Sequence, residues 1–452
     1  MFAQHTLLIA LAWVAVLPTL ASTSSAVSES PEFHRLPSLR DQAALRDSWT
    51  DERLAGIPAL LQKHGVDAWL TSQREYAEDT AFWSMKRAIQ FSARRRTLSL
   101  YVSANSTSKD CHSQTWIDNT SQVYSELLEI LEACDPSSIV VNTDADIAFA
   151  SGLHAGELER LSSELGKKWS KRFINKPIVA VEYIATMPAN QLGWYRKLME
   201  TAWAIISEGF SNVAVKPGVT TTEDLEWWFR EKIQSLNYTT WFQPSVTIVE
   251  AGFGFAEQPH TAAKSINYGD LLHVDFGVTA LGLNTDTQHL AYVLAPGETE
   301  SDIPHGLLEG LKTANRLQDI VRANMKPGLT GNEILASSLA QAKDNGIAGK
   351  VYCHAIGDWG HSAGTVIGMT NLQDGVPVLG DLPLLKDIYN SVELYAESWV
   401  PERNATLVFP LEEDVYWSEE KQSWEWVYAR QEKFHLIKSE KQPGSPLFIV
   451  QE

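Results

Sequence analysis

Cysteine is scarce in this chain, with three residues in 452. That excludes a fold built on a disulfide network and a structural zinc site made of thiolates. Cys111 and Cys134 fall in the same N-terminal region and can pair if the chain is exported, whereas Cys353 reads as a packed thiol. Positive charge is also short, with 37 Lys and Arg against 56 Asp and Glu and a net charge of −19. A balance so acidic disfavours nucleic acid and anionic membrane surfaces as partners. The basic run Arg94-Arg95-Arg96 directly precedes an apolar strand and reads as a solvated strand entry.

The apolar run Leu7–Leu17 has eleven residues, short of the roughly 20 needed to span a bilayer. Pro18 and small residues up to Ala26 follow it, the pattern of a secretory signal cut after Ala21 or Ala26, although the usual cationic start is missing. Residues 1–26 are therefore expected to be a signal peptide on a secreted protein, with no membrane insertion after cleavage. Four Asn-x-Ser/Thr sequons, at Asn105, Asn119, Asn237 and Asn404, suit a secreted glycoprotein.

What the chain does have is a series of acids and histidines in its C-terminal half. His273-Val-Asp275-Phe-Gly277 and Asn284-Thr-Asp286-Thr-Gln288 read as strands around the turn-like stretch Thr279–Gly282. A hairpin centred between Ala280 and Leu281 sets Asp275 directly opposite Asp286. Facing carboxylates have Cβ atoms about 4.5–5.5 Å apart and repel unless a cation lies between them. That separation suits two cations about 3.5–4 Å apart. Ser391-Val-Glu393-Leu-Tyr395 and Val408–Tyr416 repeat the pattern around the turn Pro401–Asn404. Centred on Arg403, this second hairpin pairs Glu393 with Glu413 and turns Glu412 to the opposite face; a one-residue slip reverses that choice. The glycine-rich segment Tyr352–Gly364 supplies His354 and His361, its glycines letting the backbone bring an imidazole close. His260 lies further upstream, in Glu257-Gln-Pro-His260.

The order Asp275, Asp286, His361, Glu393, Glu413 resembles the pita-bread metallopeptidases: methionine aminopeptidase, aminopeptidase P, prolidase and creatinase. The resemblance runs from about Val181 to the C-terminus. It implies a metallopeptidase of the metalloaminopeptidase or Xaa-Pro dipeptidase type with those five residues as ligands. Asp286 and Glu413 would bridge two divalent cations. By the same resemblance His354 and His260 contact the substrate, and relatives suggest a dimer. Four carboxylates and one imidazole suit manganese, with iron, cobalt or zinc as alternatives. The expected chemistry is attack on a peptide carbonyl by a hydroxide shared between the cations, with Glu393 moving the proton. Two departures weaken proline specificity: Glu393-Leu-Tyr395 replaces the family's Glu-Pro-Gly, and Leu411 stands where an arginine is common. The histidines are also seven residues apart rather than the expected four. These departures keep open a second reading, a creatinase-like amidinohydrolase or a metal-dependent lyase on a small metabolite. A binding module that has lost its chemistry is disfavoured by the full ligand set.

An internal repeat supports the architecture. Val215-Lys-Pro217-Gly218 through Leu225 is echoed 110 residues later by Met325-Lys-Pro327-Gly328 through Leu335. In each copy a Pro-Gly turn precedes a helix, with Thr220/Glu223 and Thr330/Glu333 as expected capping boxes. Upstream, helices are expected at Trp49–Lys63, Gln122–Glu132 and Leu153–Leu165. Strands are expected at Asp67–Thr71, Thr97–Val102 and Ser138–Asn142, an α/β alternation. The expected fold is α/β (α+β). A creatinase-like α/β N-terminal domain (residues 27–180) precedes a C-terminal pita-bread catalytic domain with an internal pseudo-two-fold repeat (residues 181–452). Asn175–Ala189 is the expected linker, because Pro177 and Pro188 interrupt the periodicity.

Overall fold

A computed structural model describes residues 30–105, 109–252 and 263–438. The proposed signal peptide, the segment containing His260 and the C-terminal tail lie outside the described residues. The chain enters through α1 (Leu39–Lys63), capped by the Ser38 side chain and ten residues longer at its start than expected. There follow β1 (Ala68–Arg74), the short α2 (Phe82–Met85), β2 (Arg96–Val102), β3 (Gln114–Ile117), α3 (Gln122–Cys134), β4 (Ile139–Val140), α4 (Ala155–Ser170) and β5 (Phe173–Ile174). The five strands form one sheet in the order β3-β2-β1-β4-β5, antiparallel at β1–β2 and parallel at β1–β4 and β4–β5. Apolar faces of α3 and α4, including Leu127, Leu131, Leu161 and Trp169, cover Leu70, Leu98 and Leu100 of this sheet. Cys111 and Cys134 form a disulfide that ties the loop before β3 to the end of α3.

The expected linker is instead the helix α5 (Pro177–Ala185), with Pro177 at its first turn. Proline lacks only a donor that would be unpaired at that position, and its fixed φ favours helix entry. The segment is buried along Val179–Ala185 and belongs to a core shared with both sheets.

The C-terminal half is built from two helix pairs around a larger sheet. The first pair is α6 (Leu192–Gly209) and α7 (Thr222–Ser235), followed by β6 (Ser245–Ile248), β7 (Leu271–Phe276), β8 (Thr279–Ala280), β9 (Leu283–Asn284) and β10 (Thr287–Val293). The second pair is α8 (His305–Asn324) and α9 (Gly331–Asp344), followed by β11 (Ala348–Val351), β12 (His354–Ile356), β13 (Tyr389–Val400), β14 (Ala405–Ser418), β15 (Ser423–Trp426) and β16 (His435–Ile437). The main sheet runs β11-β13-β14-β10-β7-β6, with β12 on β13, β15 on β14 and β16 on β10.

Repeat symmetry is visible in the packing. Leu198, Leu225 and Phe229 of α6 and α7 bury Leu272, Val274 and Phe276 of β7. In the second half Leu307, Leu311 and Ile334 of α8 and α9 join Val392, Leu394, Phe409 and Leu411 of β13 and β14 in one core. Gly218 and Gly328 both take positive φ ahead of their helices, which explains glycine at both repeat positions. Thr330 and Glu333 form the expected capping box, whereas in the first copy the pair is Thr221 with Asp224, one residue later than expected.

Candidate metal centre

Asp275 ends β7 and Asp286 precedes β10, on a hairpin whose turn is Leu281-Gly282. Both turn residues have positive φ, +56° and +75°, the conformation whose twist suits a two-residue hairpin. The turn therefore sits one residue later than expected. Asp275 faces Gln288 across the ladder rather than Asp286. Because this moves the pairing by two residues, the aspartates keep a common face.

The second hairpin moves by one. Glu393 of β13 pairs with Glu412 of β14, and Glu413 pairs with Val392. An odd shift exchanges the faces, so Glu412, not Glu413, joins Glu393. Ser391 Oγ donates to Glu412 Oε1 at 2.5 Å. Glu413 points to the other face, where it accepts from Trp203 Nε1 at 3.1 Å and Thr287 Oγ1 at 3.1 Å, and pairs with His289 Nε2 at 2.9 Å. Burial pushes its carboxyl up and holds the His289 ring down to about 3, so it is part of a buried structural network.

The histidines also exchange places. β12 pairs with β13 so that His354 lies opposite Ser391, beside the acids. Its Nδ1 donates to the Ala355 carbonyl at 2.9 Å, which turns Nε2 toward the acids as the ring nitrogen available to a cation. That Nε2 is 3.5 Å from Glu412 Oε1, 3.7 Å from Asp286 Oδ2 and 4.0 Å from Glu393 Oε2. His361 stands one layer out, its ring perpendicular to that of His354 at 4.7 Å and against Trp241 at 5.1 Å. The cluster is thus Asp275, Asp286, His354, Glu393 and Glu412. Expected ligands His361 and Glu413 are outside it.

Electrostatics show what the cluster is built to hold. Burial, and then the charge of Glu412, drives the carboxyls of Asp275, Asp286 and Glu393 well above their usual range. Asp275 Oδ1, Asp286 Oδ1 and His354 Nε2 are buried with no hydrogen-bond partner among the described residues. Buried polar atoms are rarely left so. Donor atoms of Asp286, His354 and Glu412 lie within 4.8 Å of one another. Four carboxylates with one imidazole lone pair fit hard divalent cations, which would satisfy those atoms and offset the repulsion.

Other polar groups orient the cluster, and Gln288 is central among them. Its Nε2 donates to Glu393 Oε1 at 2.6 Å and to Glu412 Oε2 at 2.8 Å, while its Oε1 meets His273 Nε2 at 2.9 Å. Asp414 Oδ2 accepts from the Asp286 backbone N–H at 3.2 Å and from Tyr195 Oη at 2.7 Å. Sequence reasoning missed both. The same-face periodicity from Glu412 to Asp414, and from Asp286 to Gln288, was the signal available for them. Beside Glu393 and His354 opens a cavity of about 470 Å³, bordered also by His361, Tyr352, Met369 and Phe149 of the N-terminal half.

Residues 197–398 match the model of metallopeptidase family M24. Solved structures share the fold at low identity. An X-Pro aminopeptidase from Thermotoga maritima aligns with a TM-score of 0.57 and 14% identity, over 82% of this chain and 98% of that one. A dipeptidase from Pyrococcus horikoshii aligns at 0.53 and 17%, over 85% and 99%. Aminopeptidase P from Escherichia coli, in complex with substrate, aligns at 0.54 and 12%, over 85% and 95%. None of the curated proteins matches the chain. Asp275, Asp286, His354 and Glu393 lie within residues 197–398, the segment that is similar to metallopeptidase family M24, and Glu412 lies just beyond it.

Proposed function

We propose that this protein is a secreted dinuclear-metal peptidase that removes the N-terminal residue of short peptides, with Xaa-Pro bonds as the first candidates. In this reading residues 1–26 are a cleaved signal, residues 27–180 the N-terminal domain and residues 181–452 the catalytic domain. The asparagines of all four sequons are exposed, which supports export and glycosylation. The names of the structural neighbours support the substrate class. The observation that carries the reading is the set of buried atoms on Asp275, Asp286 and His354 that have no partner among the described residues, in a cluster whose His354 and Glu393 line a cavity large enough for a short peptide.

Asp275, Asp286, His354, Glu393 and Glu412 would hold the cations, manganese first by donor chemistry. Such a pair supplies Lewis acidity and a water acidified toward neutral pH. Glu393 has one oxygen fixed by Gln288 and the other toward His354, so it can take the proton of the attacking water and pass it to the leaving amine. His361, at the cavity wall, is placed to donate to the substrate carbonyl oxygen as charge develops there. Phe149 and Met369 give the cavity apolar walls for the substrate side chains. Metal analysis of the purified protein, together with hydrolysis of Gly-Pro and Xaa-Pro-Yaa peptides, tests the proposal. Two ions per chain with peptide cleavage are expected; a metal-free protein inert after manganese addition refutes it. The Glu393-Leu-Tyr395 departure keeps the second reading alive, and cleavage of small amides in place of peptides would establish it.

A further inference from the structure

The loop between His354 and His361 borders a second cavity, of about 210 Å³, walled by α1, the α2 segment, the turn Leu281-Gly282 and Asp358-Trp359. Three cations line it, Arg46, Arg53 and Lys86, against one carboxylate, Asp358. Arg53 is 7% exposed. Its Nη1 donates to Asp358 at 2.5 Å and its Nη2 to the Ser84 carbonyl at 3.0 Å. Among the described residues its Nε is buried without a partner, which costs free energy. Lys86 Nζ donates to the Gln90 carbonyl at 2.6 Å. Arg46 has no ion pair or side-chain hydrogen bond among the described residues; its Nε lies 3.0 Å from the point where a Cβ on Gly282 would stand. Burial lowers the Lys86 ammonium and the charge of Arg46 lowers it further. The indoles of Trp49, Trp83 and Trp359 also line the cavity.

We propose that this cavity is a binding site for a small oxyanion, a phosphate or a carboxylate, held by Arg46 and Lys86 beside the Arg53–Asp358 pair. Several N–H donors converging from guanidinium and ammonium groups match the oxygens of such an ion. The volume suits an ion or a small acid and not a length of peptide. An occupant would touch the turn between Asp275 and Asp286 and the loop between His354 and His361, outside the acid cluster itself.

The test is calorimetric titration of the full metal-loaded chain with inorganic phosphate and, separately, with succinate. Saturable binding of one ion per chain by either anion is expected, and which anion binds identifies the class. An Arg46→Met/Lys86→Met double variant should bind about tenfold more weakly or worse, with an unchanged circular dichroism spectrum. Asp286→Asn, which disables the metal centre, should retain anion binding. The proposal is overturned if neither anion binds saturably, if the double variant binds like the native chain, or if binding disappears in Asp286→Asn alone. Should the double variant fail to fold, Lys86→Met by itself carries the test, because Lys86 is only part-buried. This inference does not rest on the peptidase reading, and the Asp286→Asn arm keeps their failures apart.

Discussion

Glutamates 412 and 413, adjacent on β14, should fail in opposite ways when replaced. Glu412 faces Glu393 and the imidazole of His354. If Glu412 holds a cation as proposed, Glu412→Gln removes a ligand, and its effect on metal affinity should exceed the roughly 10–100-fold loss seen when an outer partner of a ligand is removed. The same change takes a negative charge from beside Asp275, Asp286 and Glu393, whose carboxyls that charge helps to raise. The metal-free variant should therefore be at least as stable as the native chain at neutral pH. Glu413→Leu should leave the ligands in place but strip the acceptor from Trp203 Nε1, Thr287 Oγ1 and His289 Nε2. A buried polar group without a partner costs about 1–3 kcal/mol; Thr287 Oγ1 keeps the Glu412 carbonyl at 2.9 Å, so the two groups left, Trp203 Nε1 and His289 Nε2, together cost at least about 2 kcal/mol. For a domain of this size that lowers Tm by roughly 4 °C or more. Metal content after dialysis, calorimetric metal titration and thermal melts of the metal-free proteins measure both effects. A Glu413→Leu variant that lost metal at unchanged Tm, beside a Glu412→Gln variant that kept it, would refute the register and the ligand set.

Gln288→Leu should weaken metal binding by about 10–100-fold with little change in fold, since its amide fixes both Glu393 and Glu412; calorimetry with manganese reads this. Replacing Cys111 and Cys134 by serine frees a loop of 23 residues' separation and should cost about 3 kcal/mol in urea unfolding. Glu157 gives a pH signature. Burial pushes its carboxyl up, but hydrogen bonds from Arg96, Ser72 and Arg74 outweigh that and hold it below its usual value. A lowered folded value means the stabilisation is complete above the unfolded value of about 4.3 and disappears as pH falls through the folded one. The Tm difference between the native chain and Glu157→Gln should then be constant above about pH 5 and vanish in stronger acid; a difference that grew on acidification would contradict this.

Strand alternation put the right segments together, and its errors follow from turn geometry. For the aspartate hairpin the turn position was misjudged by one residue, because Leu281 adopts positive φ with no side-chain signal for it. The resulting two-residue shift in pairing is harmless, since it preserves the face. For the glutamate hairpin the pairing moves by one, and one is enough to replace Glu413 by Glu412. The histidine assignment failed for another reason. Spacing along a loop carries no information about which imidazole meets the sheet; the bridge between β12 and β13 decides it, and that contact spans 37 residues from His354 to Ser391. Pro177 was read as a breaker although a proline in the first turn of a helix starts it. The Arg53–Asp358 pair was invisible because it depends on a contact distant in sequence.

That last pair has a bearing on how the protein can be taken apart. The family segment covers residues 197–398, yet Glu412 lies beyond its end and Arg53, which neutralises the histidine loop at Asp358, lies on α1 far before its start. A fragment trimmed to the family borders would lack one acid of the cluster and strand Asp358 without its counter-ion. Proteolytic removal of α1 alone should silence the chemistry from a distance, with every residue that touches the substrate still present.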